Sequence, residues 1–335
     1  QQIIFPSAGR RRIARRRPSC LPPLSKELIP LKKYILQRLV ISLVTLWLIV
    51  TVCFFLLRLL PGNPFASTTL MTQETLDRMM AYYGLDQPLW KQYLTYMGNL
   101  LQGNFGYSLK YAGRSVNYVI ASTFPVSAQL GIQALCFGIP VGLLLGILAA
   151  KLRGRAVDTG INVFVIVCTA VPTFIIAALL QYFLGLKLKL FPVAQWKDFS
   201  YTILPTLCLS LGTISGYARS MRTLMLEVDR QDYLKTAKAK GLGPVRIVVF
   251  HQIRNAIIPM ITNLGTEIAG MLMGSYVIEK IFSIPGMGAY FVDSIQGLDY
   301  TMVMGLVIFQ AVIVIAANFI VDLLYGIIDP RIRVR

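Results

Sequence analysis

The sequence predicts an all-α polytopic membrane protein with six transmembrane helices, an extracytoplasmic helical cap and a large cytoplasmic loop. Hydrophobic residues fill 55% of the 335 positions and charged residues only 14%, whereas soluble proteins average about 25% charged residues. The apolar residues gather in runs of about 20, the length that a helix needs to cross a bilayer. Lysine and arginine concentrate in alternate segments between these runs, as expected for a chain that crosses a membrane repeatedly.

The six predicted spans follow these apolar runs. They cover approximately residues 39–58, 126–150, 161–186, 201–218, 261–284 and 302–321. The first run is longer than the core of a signal peptide, and no small-residue cleavage site follows it. We therefore expect it to remain as a helix, within a transmembrane domain over residues 34–335.

The charge distribution predicts the orientation. The net charge is +18, and the alternate segments on one side hold 24 lysines and arginines against seven on the other side. The positive-inside rule then places both termini in the cytoplasm. Residues 1–33 are expected to be a basic, disordered cytoplasmic tail lying against anionic membrane lipid. No nucleic-acid partner is expected, because the basic residues are explained by the topology.

The outer segment, residues 59–125, predicts a small helical cap. A turn cluster at residues 61–64 precedes a predicted helix from Thr72 to Tyr83. A second helix is predicted from Pro88 to Leu100, with Gly103 near its end. Two interpretations stay open, namely a structural lid over the helix bundle and a docking surface for a soluble partner.

The inner segment, residues 219–260, predicts two helices joined at a glycine hinge. The first is expected from about Val228 to Gly241, a residue suited to a left-handed cap, and the second from Pro244 until Pro259 closes it. The second helix's predicted apolar face is Val245, Val248, Val249, Ile253 and Ile257, and the predicted exposed basic residues are Lys235, Lys238, Lys240, Arg246 and Arg254. The pair could rest on anionic headgroups or dock a cytoplasmic partner.

The sequence lacks the motifs of several enzyme classes. It contains neither the P-loop pattern for ATP nor the GxSxG pattern of serine hydrolases. It has one histidine, His251, and five scattered cysteines without a CxxC pair. We therefore expect no catalytic activity, cofactor or metal site in this chain.

Two glutamates lie in the fifth predicted span, where an ionisable residue is costly and faces the bundle interior or water. Glu267 and Glu279 are twelve residues apart, about 18 Å along a helix, and cannot pair. Glu267 is a pathway candidate or a hydrogen-bonding partner of a neighbouring helix. Glu279, next to Lys280, is expected at the outer membrane–water interface and is a second pathway or gate candidate.

Several motifs in fixed order resemble one family. They are LLPGNP at 59–64, YGLDQPL at 83–89, GNFGYS at 103–108, DYLKTAKAKGL at 232–242, HQIRNAIIP at 251–259, IEKIF at 278–282, PGMG at 285–288 and DPRIR at 329–333. Together they resemble the permease subunits of ATP-binding-cassette importers for peptides and nickel, specifically the oligopeptide or dipeptide permease of B type. The resemblance extends from about residue 34 to residue 335.

The resemblance gives the inner segment a role as a coupling loop. It resembles the "EAA" loop, whose coupling helix docks into a groove of the partner ATPase. The residues that the resemblance assigns to ATPase coupling are Asp232, Lys235, Thr236, Ala237, Gly241, Leu242, His251, Arg254, Asn255 and Pro259. Lys235-Thr236-Ala237 stands where the general motif has Glu-Ala-Ala, a departure typical of the peptide and nickel branch. Glu267 is not part of the family pattern.

The resemblance also implies partners and a location. These are a sister permease, two ATP-binding-cassette ATPases that use ATP and Mg, an extracytoplasmic substrate-binding protein that docks on the cap, and a bacterial or archaeal cytoplasmic membrane. Di- or oligopeptides are the expected cargo, with a nickel chelate or glutathione as alternatives. Rival classes are an ion-coupled secondary transporter, disfavoured because no internal repeat is visible, and a membrane scaffold without transport.

Overall fold

The computed structural model describes residues 31–59, 80–81, 84–111, 113–261 and 263–328, and within these ranges the chain forms helices joined by turns. The first helices are α1 (Leu31–Leu59), α2 (Leu89–Leu101), α3 (Val116–Lys151), α4 (Ala156–Ala170), α5 (Thr173–Lys187) and α6 (Ser200–Val228). The others are α7 (Asp232–Ala239), α8 (Pro244–Ile261), α9 (Leu264–Leu272), α10 (Tyr276–Ile281), α11 (Met287–Gln296) and α12 (Tyr300–Ile328). Of the expected disordered tail over residues 1–33, residues 1–30 lie outside the described residues, whereas residues 31–33 belong to α1. The turn cluster at 61–64, the helix start at Thr72 and the DPRIR motif also lie outside the described residues.

Several of the described helices are long and apolar enough to cross a membrane. By length and composition α1, α3 and α12 can each cross a bilayer. Two further candidates are bent: the first consists of α4 and α5, and the second of α8, α9 and α10. With these, the number of candidate spans is five. The predicted spans over residues 39–58, 126–150 and 302–321 lie within α1, α3 and α12. The structure therefore confirms an all-α membrane fold within its described residues.

The third predicted span is not one straight helix. α4 and α5 meet at an angle of 106°. Val171 is extended there, with φ −82° and ψ 125°, and Pro172 follows it. A proline disfavours helical backbone at the preceding residue, which explains the break.

The fifth predicted span is also interrupted. α9 ends at Leu272, and Gly274, which precedes α10, has φ +75°. This left-handed backbone suits glycine and cannot continue a right-handed helix. The fourth predicted span lies within α6, which continues to Val228, so the first helix of the inner segment begins only at Asp232.

Close helix packing joins α3 to α6. Gly138, Gly142 and Gly146 repeat every four residues on α3. A Cβ atom at Gly142 would lie 2.7 Å from the Cβ of Tyr217, and one at Gly146 would lie 2.6 Å from the Cβ of Met221. Small residues at this spacing let two membrane helices approach closely. α6 therefore lies against α3 and forms the centre of the bundle.

The outer cap is attached to the last helix. α2 forms as predicted, and Gly103 follows it with φ +74°. The buried carboxylate of Asp299, just before α12, accepts hydrogen bonds from the Ser108 hydroxyl and from the Leu109 backbone N–H at 3.0 Å. The cap is thus fixed to the membrane domain, and the choice between lid and docking surface stays open.

Candidate functional site

The inner segment, residues 219–260, contains the glycine cap that the sequence predicts. Gly241 has φ +74°, and its N–H donates to the Lys238 carbonyl at 3.0 Å. The Leu242 N–H donates to the Ala237 carbonyl at 3.3 Å. These two bonds form a Schellman motif, which satisfies the terminal carbonyls of α7 and turns the chain sharply towards α8.

α7 packs on α8 through one face and presents the other. Leu234, Ala237 and Ile247 form a buried cluster between the two helices. The predicted coupling residues Asp232, Lys235 and Thr236 lie on the exposed side of α7. Asp232 and Lys235 form an ion pair at 2.7 Å, which contributes little to stability because both side chains are exposed.

The predicted apolar face of α8 is wrong in part. Val245 and Val249 are 74% and 47% exposed, whereas Ile247 and Gln252 are buried. Ile247 and Gln252 are five residues apart, and a π-helical turn over Val248–Ile253 accounts for this spacing, because such a turn holds more residues than an α-helical one. The prediction of exposed basic residues is confirmed at Lys235, Lys238, Lys240, Arg246 and Arg254.

The expectation that Pro259 closes the second helix is also wrong. α8 continues to Ile261, and Pro259 lies inside it with its side chain exposed. A proline removes only one hydrogen bond from a helix, and membrane helices tolerate this loss.

Three further predicted coupling residues meet on the surface of α8. His251, Arg254 and Asn255 line a hollow of about 550 Å³ together with Arg246 and Phe250. The Asn255 amide donates to the His251 carbonyl at 2.6 Å and also bonds the Tyr233 phenol on α7. Desolvation raises the pKa of Tyr233, and this hydrogen bond opposes the rise. Cationic and apolar groups thus share one exposed surface.

A buried glutamine connects this surface to the bundle. Gln252, in the π-helical turn, accepts a hydrogen bond from the Lys151 ammonium at the end of α3. Its amide N–H donates to the Asp229 carboxylate, just after α6, at 2.6 Å. The sequence analysis missed Gln252, whose only signal is an uncharged polar residue among apolar neighbours.

A second polar contact fixes α4 to α6. The Arg222 guanidinium donates to both Asp158 carboxylate oxygens, at 2.7 and 2.9 Å. Asn162 and the Gly154 backbone N–H also donate to this carboxylate, at 2.7 and 3.0 Å. Asp158 is buried, and both of its carboxylate oxygens accept hydrogen bonds. The sequence analysis did not predict this contact.

Glu267 lines a cleft between α6, the end of α8 and α9. The cleft has a volume of about 530 Å³, and its polar lining includes Tyr217, Arg219, Ser220, Asn263 and Glu267. The Tyr217 hydroxyl on α6 hydrogen-bonds the carboxylate of Glu267. The residue therefore combines both predicted features, a position beside a cavity and a hydrogen bond to a neighbouring helix.

Glu279 occupies a different environment. Its side chain is completely buried, so the expectation that it faces the membrane–water interface is wrong. The Ser127 hydroxyl on α3 donates to one carboxylate oxygen at 2.8 Å, and the Ala289 N–H donates to the other at 3.2 Å. Carboxylate binding at the first turn of α11 also complements the helix dipole.

Comparisons with known proteins identify the class. Residues 31–130 match the family described as the N-terminal part of the binding-protein-dependent transport system membrane component, and residues 142–334 match the binding-protein-dependent transport system inner membrane component. The chain therefore belongs to this family of membrane transport components. Its architecture of apolar helices agrees with that class.

Named relatives are similar over almost their whole length. The dipeptide transport system permease proteins DppB of Lactococcus lactis and Bacillus subtilis are 44% and 42% identical to the chain, over 90% of it and 99% and 98% of their lengths. The oligopeptide permease protein OppB of Haemophilus influenzae is 41% identical, over 90% of the chain and 99% of OppB. A solved structure of the MetNI methionine transporter is 16% identical to the chain, with a TM-score of 0.45. The match covers 61% of this chain and 95% of the chain in that structure.

Proposed function

We propose that the chain is the permease subunit of an ATP-driven importer that moves di- or oligopeptides across the cytoplasmic membrane. The observation that carries this proposal is the 44% identity to a dipeptide permease over 99% of that protein. A sister permease, two ATPases holding ATP and Mg, and an extracytoplasmic binding protein would complete the importer. Nothing in the comparisons favours a nickel chelate, glutathione or an ion-coupled transporter.

We infer six crossings with both termini in the cytoplasm. The sixth crossing, beyond the five candidate spans, would be α6. This helix has 29 residues but carries hydroxyl side chains along its length. Such a composition suits a helix that is surrounded by protein instead of lipid, and α6 packs against α3, α4, α5 and α8. The basic inner segments support the orientation.

The exposed surface of α7 and α8 is the proposed docking site for an ATPase. It comprises Asp232, Lys235, Thr236 and Gly241 on one side and His251, Arg254 and Asn255 on the other, whereas Ala237, Leu242 and Pro259 support the shape of the two helices. Gln252 bonds both Lys151 and Asp229. A displacement of α8 by the ATPase would therefore move the inner ends of α3 and α6 together.

Purification of the intact complex tests the general proposal. Native mass spectrometry of a complex isolated through a tag on this chain should show two ATPases, a second permease and a peptide-loaded binding protein. Reconstituted in vesicles, the complex should take up a labelled dipeptide when ATP is supplied. Isolation of this chain alone, or as a homo-oligomer, under conditions that preserve such complexes would contradict the proposal.

A matched pair of variants tests the coupling step. Gln252→Leu keeps the side-chain volume but removes both hydrogen bonds, so the complex should hydrolyse ATP with much less peptide uptake per ATP. Gln231→Leu, at an exposed position before α7, should keep the wild-type ratio. Equal ratios of peptide uptake to ATP hydrolysis in the two variants would refute the proposal that Gln252 transmits the movement of α8 to α3 and α6.

A further inference from the structure

Two opposite charges line the cleft between α6 and α9, and no ion pair joins them. Glu267 is half-buried on α9, and Arg219 is exposed on α6. We propose that this cleft binds the two charged ends of the transported peptide, with Glu267 receiving the N-terminal ammonium and Arg219 the C-terminal carboxylate. This inference rests on the proposed function and adds a substrate site within the permease itself.

Glu267 is a carboxylate that is available to bind a cation from a ligand. In the described part of the chain no lysine, arginine or histidine forms an ion pair with it. The Tyr217 hydroxyl bonds it but carries no compensating charge. A carboxylate within a membrane domain is costly unless it meets water or a cation. A ligand ammonium in the cleft would supply that cation.

The two arginines of α6 in this region differ in their partners. Arg222, three residues beyond Arg219, makes a two-pronged ion pair with Asp158. For Arg219 the described residues supply only the Thr169 hydroxyl, at 3.4 Å. An exposed guanidinium that lines a cleft is suited to a carboxylate, because its planar fork matches the two oxygens.

The geometry keeps the two charges on different walls. Arg219 reaches towards Thr169 at the end of α4, whereas Glu267 lies on α9 against Tyr217. The volume between the walls, about 530 Å³, lies within the roughly 300–1,000 Å³ of typical small-ligand sites. A short zwitterionic peptide fits such a space, with its ammonium directed to α9 and its carboxylate to α6.

Neutral groups between the charges suit the peptide backbone. Ser220, Thr223 and Asn263 line the cleft and offer hydroxyl and amide groups. A Cβ atom at Gly216 would meet no atom within 4 Å, so the ligand can approach the α6 backbone there. None of these groups selects a particular side chain, which agrees with a site that reads the ends of a peptide and not its sequence.

Direct binding to the purified permease–ATPase complex tests the inference without the selectivity of the binding protein. Equilibrium dialysis would measure the dissociation constant of labelled dialanine, with N-acetyl-dialanine and dialanine amide as competitors. For the wild type, each blocked peptide should bind about 10-fold more weakly than dialanine, the effect of losing one charged contact. Glu267→Gln should remove the discrimination against the acetylated peptide, and Arg219→Gln should remove the discrimination against the amide.

The controls are an exposed carboxylate and an exposed guanidinium outside the cleft. Glu227→Gln and Arg230→Gln should both keep the wild-type discrimination. If Glu267→Gln fails to assemble, Glu267→Asp replaces it, and its shorter side chain should reduce the discrimination against the acetylated peptide. The inference is overturned if dialanine does not bind the wild-type complex, or if Glu267→Gln weakens all three peptides by one common factor.

The proposed function and this inference can fail separately. Uptake of dialanine by the complete system with its binding protein, but without any measurable site in the cleft, would leave the importer standing and remove only the inference. Absence of ATP-dependent peptide uptake by the complete wild-type system would remove both.

Discussion

Glu267 and Glu279 are the same residue type in one predicted membrane segment, yet their surroundings differ completely. Glu279 is fully buried and accepts hydrogen bonds from Ser127 and from the first turn of α11. Glu267 is half-buried, faces a cleft and has only Tyr217 as a described side-chain partner. One carboxylate is satisfied within the chain, and the other is left available.

This difference separates a structural role from a ligand-binding role. A buried carboxylate with several fixed donors holds its neighbours in place, because removing it leaves those donors unsatisfied. A carboxylate that faces a cleft with few donors contributes little to folding and can bind a ligand. The same substitution should therefore destabilise the protein strongly at Glu279 and hardly at all at Glu267.

The largest effect is expected for Glu279→Gln. The amide nitrogen would face a hydroxyl or N–H donor that the carboxylate now accepts from, within a site that has no room to rearrange. A hydrogen bond to a charged group is worth about 1.5–3 kcal/mol, and Glu279 accepts more than one. The purified complex should melt well below the wild type in a detergent thermal-unfolding assay, and a wild-type melting temperature would contradict the structural role.

A smaller loss of stability is expected for Gly274→Ala. Gly274 has φ +75°, and a Cβ atom there would overlap a Glu279 carboxylate oxygen. The strain and the displaced carboxylate should cost about 2–3 kcal/mol.

Gly270→Ala is the matched control on α9, since a Cβ atom there would meet no atom within 4 Å. It should be neutral or slightly stabilising. The same unfolding assay compares the two variants, and equal melting temperatures would show that Gly274 is not confined by Glu279.

Ser127→Ala should have an intermediate effect. The Ser127 hydroxyl donates to Glu279 and accepts the Met287 N–H, both at 2.8 Å. Loss of these two bonds should cost about 1–3 kcal/mol. Ser122→Ala is a control on the same helix, because its hydroxyl bonds only the local Val119 carbonyl at 3.1 Å. A stability loss no larger than that of Ser122→Ala would argue against the Glu279 contact.

The smallest effect on stability is expected for Glu267→Gln. Tyr217 can still donate to the amide oxygen, and the rest of the side chain faces the cleft. The unfolding free energy should change by no more than about 0.5 kcal/mol. A loss as large as that of Glu279→Gln would show that both carboxylates are structural and would remove the contrast between them.

Local features of the fold were predictable from the sequence. Gly241 forms the expected left-handed cap because it directly follows a short helical pattern, and α2 lies within the expected cap because its apolar residues keep helical spacing. The apolar runs likewise identify α1, α3 and α12. Each of these signals depends on residues that are neighbours along the chain.

The breaks and the long-range contacts were not predictable in the same way. Pro125, Pro140 and Pro205 lie inside unbroken helices, whereas Pro172 follows a sharp bend, and the surrounding packing decides between these outcomes. The register of α8 depends on a π-helical turn that the apolar pattern does not reveal. The partners of Glu279 and Gln252 come from distant segments, so the sequence could mark Glu279 but not describe its surroundings.

The contact between Ser127 and Glu279 has a consequence for how the chain matures. The two residues are 152 positions apart, so α3 is synthesised and inserted long before Glu279 exists. The Ala289 N–H comes later still. A growing chain therefore carries α3 in the membrane without its final partner, and only a chain extended into α11 can supply both hydrogen bonds to the buried carboxylate. Completion of this contact distinguishes a finished subunit from a truncated one.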